Sequence, residues 1–190
     1  MVSCYLRCSP LRLRDNGLGW NKCTQNSMTP RHTEGDEMAT YTADQIADTL
    51  IALARERHID VSNLKLQKLL YYTQAWHLAF TKSPLFGEEF EAWVHGPVVP
   101  RVFRRFKDFG WKTIDVKVTP LADPKVTAHI SAILEAYGHF DARQLERLSH
   151  SEGPWKAARG TLAPDESSSN VITKASMREF YWRTIHGEKA

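Results

Sequence analysis

The stretch LKLQKLLYYTQAWHLAF, residues 64–80, decides the fold of this chain. At helical spacing, one face of this stretch carries Leu66, Leu69, Leu70, Thr73, Trp76, His77 and Phe80. A second face, through Tyr71 and Leu78, is also mostly apolar, which leaves only a narrow polar strip. A helix that is apolar over most of its circumference must be packed from several sides. We therefore expect a mainly α fold, a compact helical domain around a central buried helix at about 64–81.

Composition places the chain among ordinary globular proteins. It has 190 residues, of which 42% are hydrophobic and 25% charged, and its formal net charge is only +3. That charge is too small to predict a strong attraction to nucleic acid or to an anionic membrane. No apolar run approaches the roughly 20 residues that a membrane-spanning helix needs. We expect a soluble, cytoplasmic protein.

Residues 1–37 differ from the rest of the sequence. They show no helical or strand periodicity, and we expect a disordered tail or an upstream stretch that is not translated, with Met28 and Met38 as alternative starts. The domain would then comprise residues 38–190. A zinc site is the alternative for this segment, but the gap between its last two ligands is wider than a usual paired turn. Its ligands would be Cys4, Cys8, Cys23 and His32.

Local signals divide the remaining chain into helices and a small β element. Thr42 and Gln45 form a capping-box pattern before a first helix. Residues 89–94 and 113–119 alternate apolar and polar side chains, and we expect them to pair as a two-stranded β element. Capping residues, or prolines suited to a first turn, predict further helices. Those helices would begin near Pro100, Asp123, Asp141, Gly153 and Thr173.

The sequence contains no recognisable catalytic set. It lacks the glycine-rich phosphate loops GxGxxG and GxxxxGK[ST] and the nucleophile elbow GxSxG. We expect His77 to be a core or edge histidine, and we expect His95 and His150 to anchor local structure. The acidic residues Glu89 and Glu91 are better explained as a solvated strand edge than as an acid–base pair. We therefore expect no enzyme activity, no catalytic residue, no metal and no cofactor.

Two surface features indicate binding instead. Arg101, Arg104, Arg105 and Lys107 could contact DNA phosphates, although Asp108 interrupts the patch and a solvated helix face also explains it. Tryptophan and tyrosine are abundant, and these types often anchor protein interfaces. The aromatic residues in question are Trp76, Trp93, Trp111, Trp155, Trp182, Tyr71 and Tyr72.

Several motifs together resemble a known family. They are KLQKLLYY over 65–72, QAWHL over 74–78, PLF over 84–86, EAW over 91–93, HGPVVP over 95–100 and HSEGPW over 150–155. This combination resembles the Panacea domain of the SocA-like antitoxin family, also labelled phage-associated GepA-like proteins, over about residues 43–185. The motif residues that we expect to be structural are Lys65, Leu66, Gln67, Lys68, Leu69, Leu70, Tyr71, Tyr72, Trp76, His77, Pro154 and Trp155.

The resemblance implies an antitoxin of a bacterial or prophage toxin–antitoxin system. Its partner would be a cognate protein toxin encoded by a neighbouring gene, neutralised by direct binding. The alternative within the family is a proteolytic adaptor that delivers the toxin to the protease ClpXP. A DNA-binding regulator that uses the basic helix 101–109 is the alternative of another class. The resemblance supplies no catalytic residues, and we expect neither a membrane nor nucleic acid as partner.

We place a hypothetical protein-binding surface at the turn from His95 to Pro100 and on its flanking helix. The prolines would limit the ordering cost of such a surface. The alternative, that these motif residues only maintain the fold, stays open. The surface comprises Trp93, His95, Gly96, Pro97, Val98, Pro100, Arg101, Arg104 and Arg105.

Overall fold

The structure, a computed structural model, describes residues 40–187. The expectations for residues 1–37, including the zinc ligands and the alternative start at Met38, lie outside the described residues. Among residues 40–187, no helix has the length and apolar character needed to cross a membrane.

Seven helices dominate the described chain, which confirms the mainly α fold. Their bounds are α1 Ala43–Glu56, α2 Asn63–Thr81, α3 Pro100–Arg105, α4 Pro124–Tyr137, α5 Ala142–Ser151, α6 Gly153–Arg159 and α7 Lys174–His186, with a 3-10 turn at Lys107–Phe109. The helix starts follow the caps in the sequence. Thr42 and Gln45 form the expected capping box, and Asp141 forms another with Gln144. Both boxes satisfy backbone N–H groups that a helix start would otherwise leave without partners.

Helix α2 is the predicted central helix, and it contacts α1, α3, α4, α5, α7 and the strand Gly96–Val98. Leu66, Leu69 and Leu70 are fully buried. Lys68 is buried as completely, although it belongs to the narrow polar strip, and so is Gln67. Phe80 is an exception to the predicted stripe, because it lies in the last turn of α2 and is 49% exposed.

A small antiparallel sheet packs beside α2. It consists of β1 Phe90–Trp93, β2 Gly96–Val98 and β3 Val171–Ile172, in the order β2-β1-β3. Ala92 lies opposite Pro97, and Phe90 lies opposite Ile172. The sheet therefore has three strands, and the predicted partner of β1 was wrong.

The segment 113–119, predicted as that partner strand, is extended but belongs to no sheet. Its backbone bonds to the neighbouring helical layer instead: Ile114 N donates to Val61 O at 2.9 Å, and Val116 O accepts from Arg55 Nη2 at 2.8 Å. Alternation correctly indicates that Ile114 points inward, since this side chain is buried. Alternation of apolar and polar residues indicates an extended chain with one buried face. A single extended segment that lies on helices shows the same alternation as a strand paired in a sheet, so the pattern does not distinguish them.

Candidate functional site

Buried polar side chains of α2 hold the backbone beside the turn between β1 and β2. Lys68 Nζ donates to Pro97 O at 2.9 Å, and Gln67 Oε1 accepts from Val99 N at 2.9 Å. Gln67 is itself oriented by a 3.2 Å bond from its Nε2 to Asn63 Oδ1. Burial lowers the pKa of Lys68 to about 7. These two buried polar residues of the KLQKLLYY motif therefore fix the backbone of the HGPVVP motif.

Gly96 is required where the turn crosses Lys68. Its φ is +93°, in a region that side chains rarely adopt. A Cβ placed there would lie 2.8 Å from Lys68 Cε and Nζ and 2.9 Å from Ser149 Oγ. The turn can approach the buried amine only because this residue has no side chain.

The outer side of the turn is supported by α5 and α6. His95 Nδ1 lies 2.9 Å from Glu146 Oε1. Trp155 Nε1 donates to Trp93 O at 3.1 Å, and the ring of His150 stacks on Trp155 with centroids 3.9 Å apart. The HSEGPW motif therefore acts on the same turn as the KLQKLLYY motif, from a separate part of the chain.

The structure separates the hypothesised binding residues into two groups. Gly96, Pro97 and Val98 are buried and contact the interior. The remaining members have some exposed surface. Trp93 and Pro100 are partly buried, while His95, Arg101, Arg104 and Arg105 are exposed. A partner that meets the turn in this conformation can reach only the second group.

Two arginines of the basic helix are already paired with acidic residues. Arg101 Nε lies 2.6 Å from Asp44 Oδ2, while Arg105 lies 3.3 Å from Asp44 Oδ1 and 2.7 Å from Asp48 Oδ1. These pairs join α3 to the first turns of α1. No local sequence pattern predicts these pairs, because Asp44 precedes Arg101 by 57 positions. Within residues 40–187, Arg104 makes no ion pair.

A second polar cluster, at Glu152, lies where α2, α6 and α7 meet. The Glu152 carboxylate accepts from Tyr181 OH at 2.7 Å and from Tyr72 OH at 3.3 Å. Tyr137 stacks on Tyr72 with centroids 4.1 Å apart, and its hydroxyl accepts from Trp76 Nε1 at 2.9 Å. Burial raises the pKa of Glu152 to about 7. Sequence reasoning missed this role, because a glutamate between two short helices looks like a solvated residue.

His77 lies at the edge of the core and lines a cavity of about 390 Å³. Its Nδ1 donates to Ser83 O at 2.9 Å, and burial lowers its pKa. Across the cavity, Tyr41 OH donates to Asp123 Oδ2 at 2.6 Å. Throughout residues 40–187, no group of three or more His, Cys, Asp or Glu side chains is placed to hold a metal ion.

Comparisons with known proteins match the part of the chain that builds this turn. The model of the family described as "Antitoxin SocA-like, Panacea domain" matches residues 66–156. The protein named Antitoxin SocA from Caulobacter vibrioides (strain NA1000 / CB15N) is 36% identical over 127 residues, which cover 60% of this chain and 68% of that protein. No solved structure matches the chain significantly.

Proposed function

Because the chain belongs to the SocA-like antitoxin family, we propose that it neutralises a cognate protein toxin by binding it directly. We place the contact at the rim of the β1–β2 turn, which consists of the accessible side chains of Trp93, His95 and Arg104. The relative's name supports the antitoxin role. The toxin, and the direct manner of its neutralisation, are our proposal.

One observation supports placing the toxin contact at this turn: bonds within the chain already hold the turn in one conformation. Lys68, Gln67 and Trp155 bond to backbone groups on both sides of the turn, and Glu146 holds its His95 ring. A surface that is already ordered loses little conformational entropy on binding, so more of the contact energy appears as affinity. The motif residues of α2 thus support binding without touching the partner.

The rim offers an aromatic and cationic contact surface. The partly exposed Trp93 ring lies edge-to-face against Phe103 of α3, with centroids 5.1 Å apart. The His95 side chain is 64% exposed beside it, and Arg104 is exposed on the next helix. Tryptophan and arginine are frequent among residues that dominate the energy of protein interfaces.

The DNA-binding alternative is less well supported. Two of its four basic side chains, Arg101 and Arg105, are neutralised by Asp44 and Asp48. DNA binding gains most of its electrostatic energy from many phosphate contacts made at once. The basic helix offers few unpaired cations for such contacts.

Co-expression with the product of the neighbouring gene tests the proposal. We expect a stable complex on purification and restored growth of cells that carry that product. His95→Ala should weaken the complex strongly and lower the melting temperature only slightly, because its contact with Glu146 is largely exposed. His186→Ala, at the end of α7, is the matched control. Growth restored without a complex, and only in hosts with ClpXP, would replace direct binding by the adaptor mechanism. A harmless neighbour that binds nothing would contradict both.

A further inference from the structure

The most exposed large apolar side chain in the described chain belongs to Trp111. It is 70% exposed, compared with 39% for Trp182 on α7. One residue, Gly110, separates Trp111 from the 3-10 turn, and its φ is +53°. An indole this exposed leaves apolar surface in contact with water. A partner that covered this surface would gain the free energy of burying it.

Cationic residues flank Trp111 in the sequence. Arg104, Lys107 and Lys112 are all exposed, and none makes an ion pair within residues 40–187. The backbone keeps this stretch compact, because the 3-10 turn follows α3 after one residue and Lys112 N donates to Phe109 O at 2.9 Å. Only one acidic residue, Asp108, lies in it. This contrasts with Arg101 and Arg105, whose charges are satisfied by α1.

We propose that Arg104, Lys107, Trp111 and Lys112, here called the Trp111 patch, dock an acidic segment of the partner protein that carries an apolar side chain. This inference rests on the proposed function and names the chemistry of the toxin surface. Carboxylates of the segment meet the three unpaired cations, and its apolar side chain packs against the indole. Opposite charges across an interface speed association and exclude partners of the wrong charge.

A protein segment fits this patch better than nucleic acid does. Three cations with an acid among them give few phosphate contacts, and α3 has six residues, too short for a helix that reads a DNA groove. A single exposed tryptophan flanked by basic residues has the composition of an interface anchor. The chain's net charge of +3 also provides little long-range attraction to a polyanion.

The test measures the affinity of the full chain for the purified product of the neighbouring gene, at low and at high salt. Trp111→Ala should weaken binding by roughly tenfold or more. The double variant Lys107→Glu, Lys112→Glu leaves Arg104 unchanged, because Arg104 also belongs to the proposed rim surface. This variant should slow association and weaken its salt dependence. The matched controls are Trp182→Ala and Arg178→Glu, and both should bind like the unmodified chain. Trp111, Lys107, Lys112 and Arg178 are exposed, so their substitution should change the melting temperature little. Trp182 stacks on His186, so its variant serves as a control for binding alone.

Three other outcomes would overturn the inference. If the neighbour binds and both patch variants bind equally well, the docking assignment is overturned while the proposed function stands. If the unmodified chain binds a duplex DNA oligonucleotide, and the double variant loses that binding, the patch serves nucleic acid and the inference is overturned. If the unmodified chain neither binds the neighbour nor restores growth, the proposed function and this inference both fail.

Discussion

Replacing Glu152 by glutamine should change how the stability of the protein depends on pH. The carboxylate accepts from the hydroxyls of Tyr72 and Tyr181, and burial raises its pKa from 4.5 to about 7. The folded state therefore binds this proton more tightly than the unfolded chain does. The stabilisation is fully present below the unfolded pKa of 4.5 and is lost as the pH rises through about 7.

The magnitude follows from the two pKa values. Each pKa unit corresponds to about 1.4 kcal/mol, so ionising Glu152 in the fold costs about 3 kcal/mol. Glutamine keeps an acceptor oxygen for one of the two tyrosine hydroxyls, which donate to different carboxylate oxygens. The loss of the second acceptor is the same at every pH, and the amide does not titrate. We expect the stability of the glutamine variant, relative to the unmodified chain, to increase by about 2–3 kcal/mol between about pH 5 and about pH 8.

Urea unfolding of both proteins across this pH range measures the difference. The comparison cancels the titration of Lys68 and of the histidines, provided that the substitution leaves them unchanged. Glu135→Gln is the matched control, since Glu135 is an exposed glutamate on α4. A stability difference between the glutamine variant and the unmodified chain that stays constant with pH would refute the reasoning, because Glu152 would then ionise as it does in the unfolded chain.

Three further predictions concern the turn and its supports. Gly96→Ala should lower the free energy of unfolding by more than about 2 kcal/mol, because the new Cβ clashes with Lys68 and the φ is unfavourable for alanine. The control Gly160→Ala has a positive φ as well, but its Cβ would meet no atom within 4 Å. Urea unfolding should therefore show a smaller loss of about 1 kcal/mol for the control. Gln67→Leu should destabilise the protein by about 1–3 kcal/mol, since the buried backbone N–H of Val99 loses its acceptor. An unchanged denaturation midpoint would be evidence that Gln67 does not fix this backbone. Arg101→Ala should cost at most about 1 kcal/mol, less at high salt, because its pair with Asp44 is exposed; a larger loss of melting temperature would indicate that Arg101 does more than join α3 to α1.

Much of the fold could be predicted from local sequence signals. Thr42, Asp123 and Asp141 cap helices where the sequence indicated, and the apolar circumference of α2 correctly indicated a buried central helix. Such signals act within a few residues, through capping bonds and through the period of one buried face. They are therefore visible without any knowledge of tertiary structure.

The remaining features depend on contacts between distant parts of the chain. The third strand, Val171–Ile172, has only two residues and pairs with a segment some 80 positions earlier, so periodicity could not identify it. The burial of Lys68 depends on Pro97 O, and the pairing of Arg101 depends on Asp44. A lysine or arginine in a sequence looks the same whether it is solvated or paired, and only the tertiary structure distinguishes the two cases.

Direct neutralisation is the central claim, and a reconstituted assay tests it most directly. The full chain and the purified product of the neighbouring gene are mixed without any protease, and both their binding and the inhibition of the toxin's activity are measured. We predict a defined complex and inhibition that follows its occupancy. If the toxin stays fully active although the antitoxin is in excess, the account of neutralisation by binding is contradicted.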